Sequence, residues 1–395
     1  MLLSPTEDHN LNIWRAMAAR AEAVGLRRIH LFTFRDLDDP GAGGSELHAA
    51  RVAANWARAG IEVLHRTGAV DGLPREVDRS GFRVVRAGGR VGVYVGSARS
   101  MRRTEWGPGD GIVDVFHGIP FFAPLWAPKV PQVGMVHHVH VGVWRHLLPL
   151  PGAAAGWALE RLAVPLVYRN RSLVTVAPST RDEVIRRYRA RPERVTVAGN
   201  GVDPAFAPGG ARAEGPLVVV VARLMPQKAV LDAIDAFFVA RRSRPDAHLV
   251  IVGDGPERER LQAAAAERDA AAVRFVGRVA EEELIGWYRR AWVVVSAALR
   301  EGFGLTLAEA AACGTPVVAR RIPGHVDAVA DGSSGLLADD VESMGAAIAR
   351  VLTDERLRAD LGRGALAHAA SFTWERTASR ILDALCDEVE RRGGR

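Results

Sequence analysis

Short apolar runs alternate with helical periods along nearly the whole chain, and this rhythm limits the available folds more than any other feature. Runs at residues 29–34, 61–65, 84–86, 92–95, 112–116, 132–136, 173–176 and 195–197 read as strands, with a helix expected over 45–59. The runs are continuously apolar rather than alternating. That marks strands buried on both faces, and hence parallel βα units. A stretch at 206–216 rich in Gly, Pro and Ala reads as an interdomain linker. The rhythm then restarts, with strands at 217–221, 249–252, 273–276, 292–296 and 316–319 and helices at 341–352, 355–370 and 374–391. A chain of 395 residues exceeds one ordinary core. The expectation is an α/β protein of two doubly wound domains, 1–210 and 211–373, with ligands at the C-terminal strand ends facing a cleft.

Composition removes several classes. No apolar run reaches the ~18 residues of a membrane-spanning helix. The start lacks a basic segment followed by an apolar one, so no export signal is expected. Cys313 and Cys386 fall in separate helices, which argues against a disulfide framework or a metal cluster and for a cytoplasmic setting. The formal net charge of +6 admits nucleic acid or an anionic membrane as partner. Yet lysine occurs only at Lys129 and Lys228, so the positive charge is almost all arginine in an alanine-rich chain. That pairing reflects a GC-rich coding sequence better than a binding patch, and no nucleic acid is expected. The cluster Arg99, Arg102 and Arg103 keeps peripheral contact with the inner face of a membrane open. A helix expected over 12–24 carries Ile13, Trp14, Met17, Ala18 and Ala21 on one side. It reads first as a packed structural helix, with membrane contact or dimerisation as the second reading, so monomer and homodimer both stay open.

The most pointed local signal is Arg300-Glu301-Gly302-Phe303-Gly304-Leu305-Thr306-Leu307-Ala308-Glu309. A strand precedes it and a helix-forming run, 305–313, follows. A strand–glycine loop–helix unit leaves backbone N–H groups free at a helix N-terminus, which suits phosphate. A phosphate cradle alone has no need of Glu301 and Glu309, so a hydroxyl-bearing group is expected beside the phosphate. After residue 221, Arg223 and Lys228 bracket a turn at Pro226, and two cations at a strand end suit a diphosphate. Lys228 stands out because a compact ammonium is used where arginine is the habit.

Weaker signals surround these. Gly253-Asp254-Gly255 ends one strand, and its glycines would let backbone approach a ligand or would simply form a tight turn. Gly277-Arg278-Val279 ends the next and could border a flat base. Gly41-Ala42-Gly43-Gly44-Ser45-Glu46 joins the first strand to its helix, with Ser45 expected as the N-cap. It is neither a dinucleotide fingerprint nor a P-loop. Asp36-Leu37-Asp38 is a D-x-D string without supporting ligand spacing, so metal is not expected there. His137-His138-Val139-His140 closes another strand. Neighbouring strand residues point to opposite faces, so His137 and His138 do not readily share one ion. His137, and less strongly His117, are expected to be polar groups facing the ligand.

Taken together these clusters resemble the retaining glycosyltransferases of family 4, with the GT-B fold, over nearly the whole chain. The most specific element is the E-x7-E motif from Glu301 to Glu309, followed by Ala310-Ala311-Ala312-Cys313-Gly314-Thr315-Pro316. Arg223 with Lys228, Gly43-Gly44-Ser45-Glu46, Val136-His137, Asn200-Gly201-Val202-Asp203 and Phe372-Thr373-Trp374 are similar to that family's other landmarks. The resemblance implies two Rossmann-like domains facing a central cleft, with the last helix, 374–395, crossing back to the first. It implies a nucleotide-diphosphate sugar, UDP- or GDP-linked, as donor and a hydroxyl acceptor: a glycan, a lipid or a small molecule. Glu301 would bond the donor sugar and Glu309 the ribose. Arg223 and Lys228 would hold the diphosphate, aided by backbone at Gly302, Phe303, Gly304 and Leu305. Gly43 and Gly44 would close over the phosphates, His137 would touch the transferred sugar, Asp254 would lie on the donor side, and Arg278 and Val279 would border the base. No cofactor or metal is implied. A GT-B epimerase or phosphorylase, and a non-catalytic nucleotide-sugar binder, are the alternatives. Ala229 after Lys228, where the family often has glycine, is a departure.

Overall fold

The computed structural model describes residues 5–89, 92–140, 144 and 150–393. The chain forms two compact units, Met1–Gly201 with Trp374–Arg395, and Val202–Thr373. The division falls after Gly201, ahead of residue 210 where the sequence places it.

Unit 1 is built on an eight-stranded sheet. Its strands are β1 (Arg28–Phe32), β2 (Glu62–Thr67), β3 (Glu76–Arg79), β4 (Phe82–Arg86), β5 (Asp110–Phe116), β6 (Gln132–Val136), β7 (Ser172–Thr175) and β8 (Val195–Val197). They lie in the order β3-β4-β2-β1-β5-β6-β7-β8. Every pairing is parallel except β3 with β4. On one face Phe32, Val93, Met101 and Phe121 form one cluster, and Phe116, Val136, Tyr168 and Tyr188 another; on the other face a Cβ on Gly111 would meet Leu26 and Leu385 at 3.0 Å. The helix Trp374–Gly393 belongs to this unit. It buries Ile381, Leu382 and Leu385, and Trp56 Nε1 donates to the Ala378 carbonyl at 2.9 Å.

Unit 2 carries β9 (Leu217–Val221), β10 (His248–Val252), β11 (Val273–Gly277), β12 (Val293–Ser296), β13 (Val317–Arg320) and β14 (Gly335–Ala338). Their order is β11-β10-β9-β12-β13-β14, all parallel. Val218, Val220, Ile251, Phe237, Met344 and Ile348 anchor its core. The continuous valine runs are thus central strands with helices on both sides, as parallel sheets require.

Several expectations need correction. Residues 92–95 are not a strand but open the helix Gly92–Arg103, whose buried Val93, Ser97 and Met101 recur every four residues. Strand β3 escapes notice because Glu76, Asp78 and Arg79 are charged, as suits an exposed edge. Strand β14 is short and starts on a glycine. The 206–216 stretch is no free linker. Phe206 packs edge-on against Tyr288 at 5.9 Å, Arg289 donates to the Ala207 carbonyl, and Arg212 donates to the Gly314 carbonyl at 2.6 Å. Its glycines and prolines shape a strap fastened to unit 2. The first helix starts earlier than expected and spans Pro5–Ala23. It buries Met17 and Ala21, Trp14 Nε1 donates to Asn55 Oδ1 at 2.7 Å, and Arg20 pairs with Asp387 and Glu390. No described helix is long and apolar enough to cross a membrane.

Candidate functional site

The sheet orders mark candidate ligand-binding loops before any side chain is considered. In unit 2 the strand order reverses between β9 and β12, and in unit 1 between β1 and β5. Loops diverge at such a reversal, and the crevice at the strand C-termini is where open α/β sheets take ligands.

In unit 2 the loops after β9 and β12 are tied together. Leu299 N donates to the Gln227 carbonyl at 2.9 Å, and the Lys228 ammonium closes on the Glu301 carboxylate in a partly buried ion pair. Lys228 ends a single 3₁₀ turn, Pro226–Lys228, and Ala229 after it takes a left-handed φ of 44°. That conformation explains why glycine would be expected there; alanine adopts it at a cost. Gly304, at φ 78°, caps the helix Leu305–Ala312. In that helix's first turn Leu307 N and Ala308 N donate to the Gly304 carbonyl at 3.0 and 3.2 Å, and the N–H groups of Leu305 and Thr306 precede the intrahelical ladder. Phe303 is buried edge-on to Phe372 at 5.1 Å. Arg223 is exposed on the turn after β9.

His325 supports this loop, and nothing in the sequence pointed to it. Its ring is fully buried; Nδ1 lies 2.8 Å from the Arg320 carbonyl and Nε2 lies 3.3 Å from Ser296 Oγ. The bond to a carbonyl places the proton on Nδ1. Burial holds the imidazole below its ordinary pKa against the pull of nearby Glu301. A Cβ on Gly304 would sit 3.1 Å from this ring, and one on Gly324 would sit 2.6 Å from the Glu301 carbonyl oxygen.

Glu309 lies in a different setting from Glu301. It is buried on the Leu305–Ala312 helix and accepts from Tyr288 Oη at 2.8 Å. Burial pushes its carboxyl up to about 7, with Glu281 and Asp203 adding to the rise and Tyr288 opposing it. The two glutamates of the motif thus face different partners.

Asp254 is exposed, accepts from the Gly255 N–H at 2.9 Å and pairs with Arg258. The flanking glycines serve the protein itself. A Cβ on Gly253 would lie 1.9 Å from the Ala222 carbonyl oxygen, and one on Gly255 2.4 Å from that of Leu224. The tight-turn alternative thus explains both. Gly253 N donates to the Gly277 carbonyl at 2.8 Å, which sets Asp254 beside the loop of exposed Arg278 and half-buried Val279.

In unit 1, Gly43 rather than Ser45 occupies the N-cap of the helix Gly44–Arg58. Its N–H donates to Glu46 Oε2 at 2.8 Å, and Ser45 Oγ donates to the same oxygen at 2.9 Å. His48 of that helix meets His137 edge-on at 4.8 Å and Trp374 at 5.6 Å. Burial holds His48 near 3 and His137 well below the ordinary range, so both rings are neutral. Neither ring nitrogen of His137 has a hydrogen-bond partner among the described residues. His117 stacks on Phe34 at 5.2 Å, and His138 on His140 at 3.9 Å. The Asp36 and Asp38 carboxylates are taken by Arg79 and Arg86, with Arg86 Nε donating to Asp36 Oδ2 at 2.7 Å. Among the described residues no group of three or more His, Cys, Asp or Glu is placed to hold a metal ion.

Comparison with known proteins agrees with this fold. Residues 42–206 match the family described as Glycosyltransferase Family 4, and residues 203–368 match Glycosyl transferases group 1. A D-inositol 3-phosphate glycosyltransferase of Stackebrandtia nassauensis is 32% identical over 93% of this chain and 93% of its own length. One from Acidothermus cellulolyticus is 40% identical over 56% of this chain and 54% of its own. Among solved structures, a sucrose-phosphate synthase from Thermosynechococcus elongatus superposes with a TM-score of 0.73, at 22% identity, over 90% of this chain and 97% of that one. The Anabaena protein HepE, solved with UDP-glucose, gives 0.68 at 17% identity over 90% of this chain and 98% of that one. The chain belongs to glycosyltransferase family 4 and is an enzyme of the GT-B fold.

Proposed function

We propose that the protein moves a hexosyl unit from a nucleotide-diphosphate sugar to a hydroxyl acceptor, with retention at the anomeric carbon and without a metal ion. The observation that carries this reading is the Lys228–Glu301 pair beside the Gly304-capped helix at the strand reversal of unit 2. A cation and a helix N-terminus meet the negative charge that grows on a departing diphosphate, and a neighbouring carboxylate meets sugar hydroxyls. Arg223 adds a second cation to the diphosphate. Glu309 takes the ribose hydroxyls, and Arg278 and Val279 border the base near Asp254. From unit 1 the reading takes Gly43 and Gly44 to the phosphates and His137 to the transferred sugar. A neutral imidazole with unpartnered nitrogens can donate one hydrogen bond and accept another.

The reaction runs on the front face of the sugar. The glycosidic bond to the diphosphate breaks as the acceptor oxygen approaches from the same side, and the leaving phosphate oxygen takes the acceptor's proton. The neighbour solved with UDP-glucose supports a UDP-sugar, with a GDP-sugar as the other candidate. The relatives named D-inositol 3-phosphate glycosyltransferase support a small polyol or its phosphate as acceptor class. A thermal-shift screen of nucleotide sugars tests the donor. A ligand at 100 times its Kd adds about 2.7 kcal/mol of stability. A shift with at least one UDP- or GDP-sugar is expected; no shift with any of them would remove the reading.

A further inference from the structure

Residues 150–171 of unit 1 turn an apolar and basic side outward that the proposed chemistry does not use. The segment runs as the helix Leu150–Ala158, a π-turn at Leu159–Ala163 and the helix Val164–Tyr168. Its inner side is packed: Ala153, Val164 and Tyr168 are buried, and a Cβ on Gly156 would come within 2.7 Å of the Trp144 ring. Its outer side is the reverse. Leu150 is 76% exposed, Leu162 60% and Leu166 74%, with Trp157 at 42% and Leu159 at 41%. So many large apolar side chains exposed along one short segment mark an interaction surface.

The charge on this side is of one sign. The only carboxylate in the segment, Glu160, is wholly buried. It accepts from His140 N at 2.6 Å, Trp144 Nε1 at 2.6 Å and Tyr188 Oη at 2.8 Å. Outside remain exposed Arg161, its guanidinium 5.3 Å from the centre of the Trp157 ring, exposed Arg169 and half-exposed Arg171. Alongside, Phe122 meets Tyr168 at 6.2 Å, and the turn that follows adds Leu125, 55% exposed, and Trp126 beneath Arg102 at 4.6 Å.

We propose that this face docks on an anionic lipid bilayer, with the leucines and Trp157 entering the headgroup boundary and the arginines meeting lipid phosphates. A second copy of the chain is the other occupant an apolar ridge can take. The charge decides between them. A two-fold self-contact sets the same arginines near one another with no exposed carboxylate from the segment to answer them. Each arginine gains against anionic lipid. Tryptophan beside arginine on an apolar edge is the side-chain mixture that settles at headgroup level. The inference is independent of the donor reading, because none of these side chains is assigned to the donor.

Co-sedimentation of the full chain with vesicles of phosphatidylglycerol and phosphatidylcholine, and with phosphatidylcholine alone, tests it. Binding to the anionic vesicles only is expected. Replacing Arg161, Arg169 and Arg171 together by Gln should weaken binding on the order of 100-fold, at about fivefold per arginine. The double variant Leu162→Glu, Leu166→Glu should weaken it at least ~10-fold. Thermal melts of both variants should stay nearly unchanged, since four of the positions are exposed and Arg171 is half-exposed. Three results would each overturn the proposal: no binding to anionic vesicles, wild-type binding by the leucine variant, or a wild-type dimer that the leucine variant splits into monomers.

Discussion

Lys228 is one of two lysines in a chain whose other side-chain cations, histidine aside, are arginines, and it is the one that closes on Glu301. Its rarity was visible in the sequence; its partner was not, because 73 positions separate the two residues and only the β9–β12 pairing brings their loops together. Lys228→Ala and Glu301→Ala should each slow nucleotide release from the donor by at least ~10²-fold while the melting curve shows a folded protein. Near-wild-type rates in either would remove the roles given them. Glu309 makes a second prediction. Its folded carboxyl holds a proton up to about pH 7, against an ordinary value of 4.5. The folded state therefore binds extra protons between those values and loses stability as pH rises through that window. Glu309→Gln cannot ionise, so it should gain on wild type by up to roughly 3 kcal/mol between pH 5 and pH 8 in urea unfolding. A constant difference across that range would contradict the assignment. Tyr288 and His325, which set the surroundings of the two glutamates, carry no local signature. A buried tyrosine or histidine reads from sequence as core, and its partner is fixed only by packing.

Gly304 shows how an element end is made by one residue. Its φ of 78° lies where a Cβ meets the following carbonyl, and the His325 ring leaves only 3.1 Å for that atom. Gly304→Ala should cost roughly 1–2 kcal/mol from backbone conformation alone, read by denaturant unfolding, and should weaken donor binding by shifting the helix N-terminus. A neutral effect on both would mean the cap is adaptable. The same residue was legible as part of a strand–glycine–helix unit, as were the central strands, whose boundaries fall within about two residues of those expected because continuous apolar runs suit few other structures. Elements at the margins were not. The run at 92–95 looks strand-like over four residues and helical only when Met101 is counted. The edge strand β3 hides its pairing behind charged side chains. The 206–216 stretch has a linker's composition, but Phe206 and Arg212 secure it.

At the scale of the whole chain, the last helix decides how unit 1 is completed. Trp374, Ile381, Leu382 and Leu385 are buried in it, and Gly201 lies so close to Trp374 that a Cβ would come within 2.4 Å of the ring. Removing residues 374–395 strips burial worth on the order of 8 kcal/mol at about 2 kcal/mol per side chain, comparable with the whole stability of a domain. The truncated chain should therefore lose the cooperative melt of unit 1. A soluble truncation with that melt intact would show that the helix is dispensable. The crossing of the chain between units was readable only through resemblance, since nothing in the helix's own amphipathic pattern says which core receives it. The most direct test of the central claim joins residue to molecule. The nucleotide sugar that stabilises the protein is titrated calorimetrically into wild type and into Lys228→Ala. Binding to wild type with at least ~10-fold weaker binding to the variant is expected, because one charge-assisted contact to the diphosphate is lost. Equal affinities, or no binding heat from any UDP- or GDP-sugar, would contradict it.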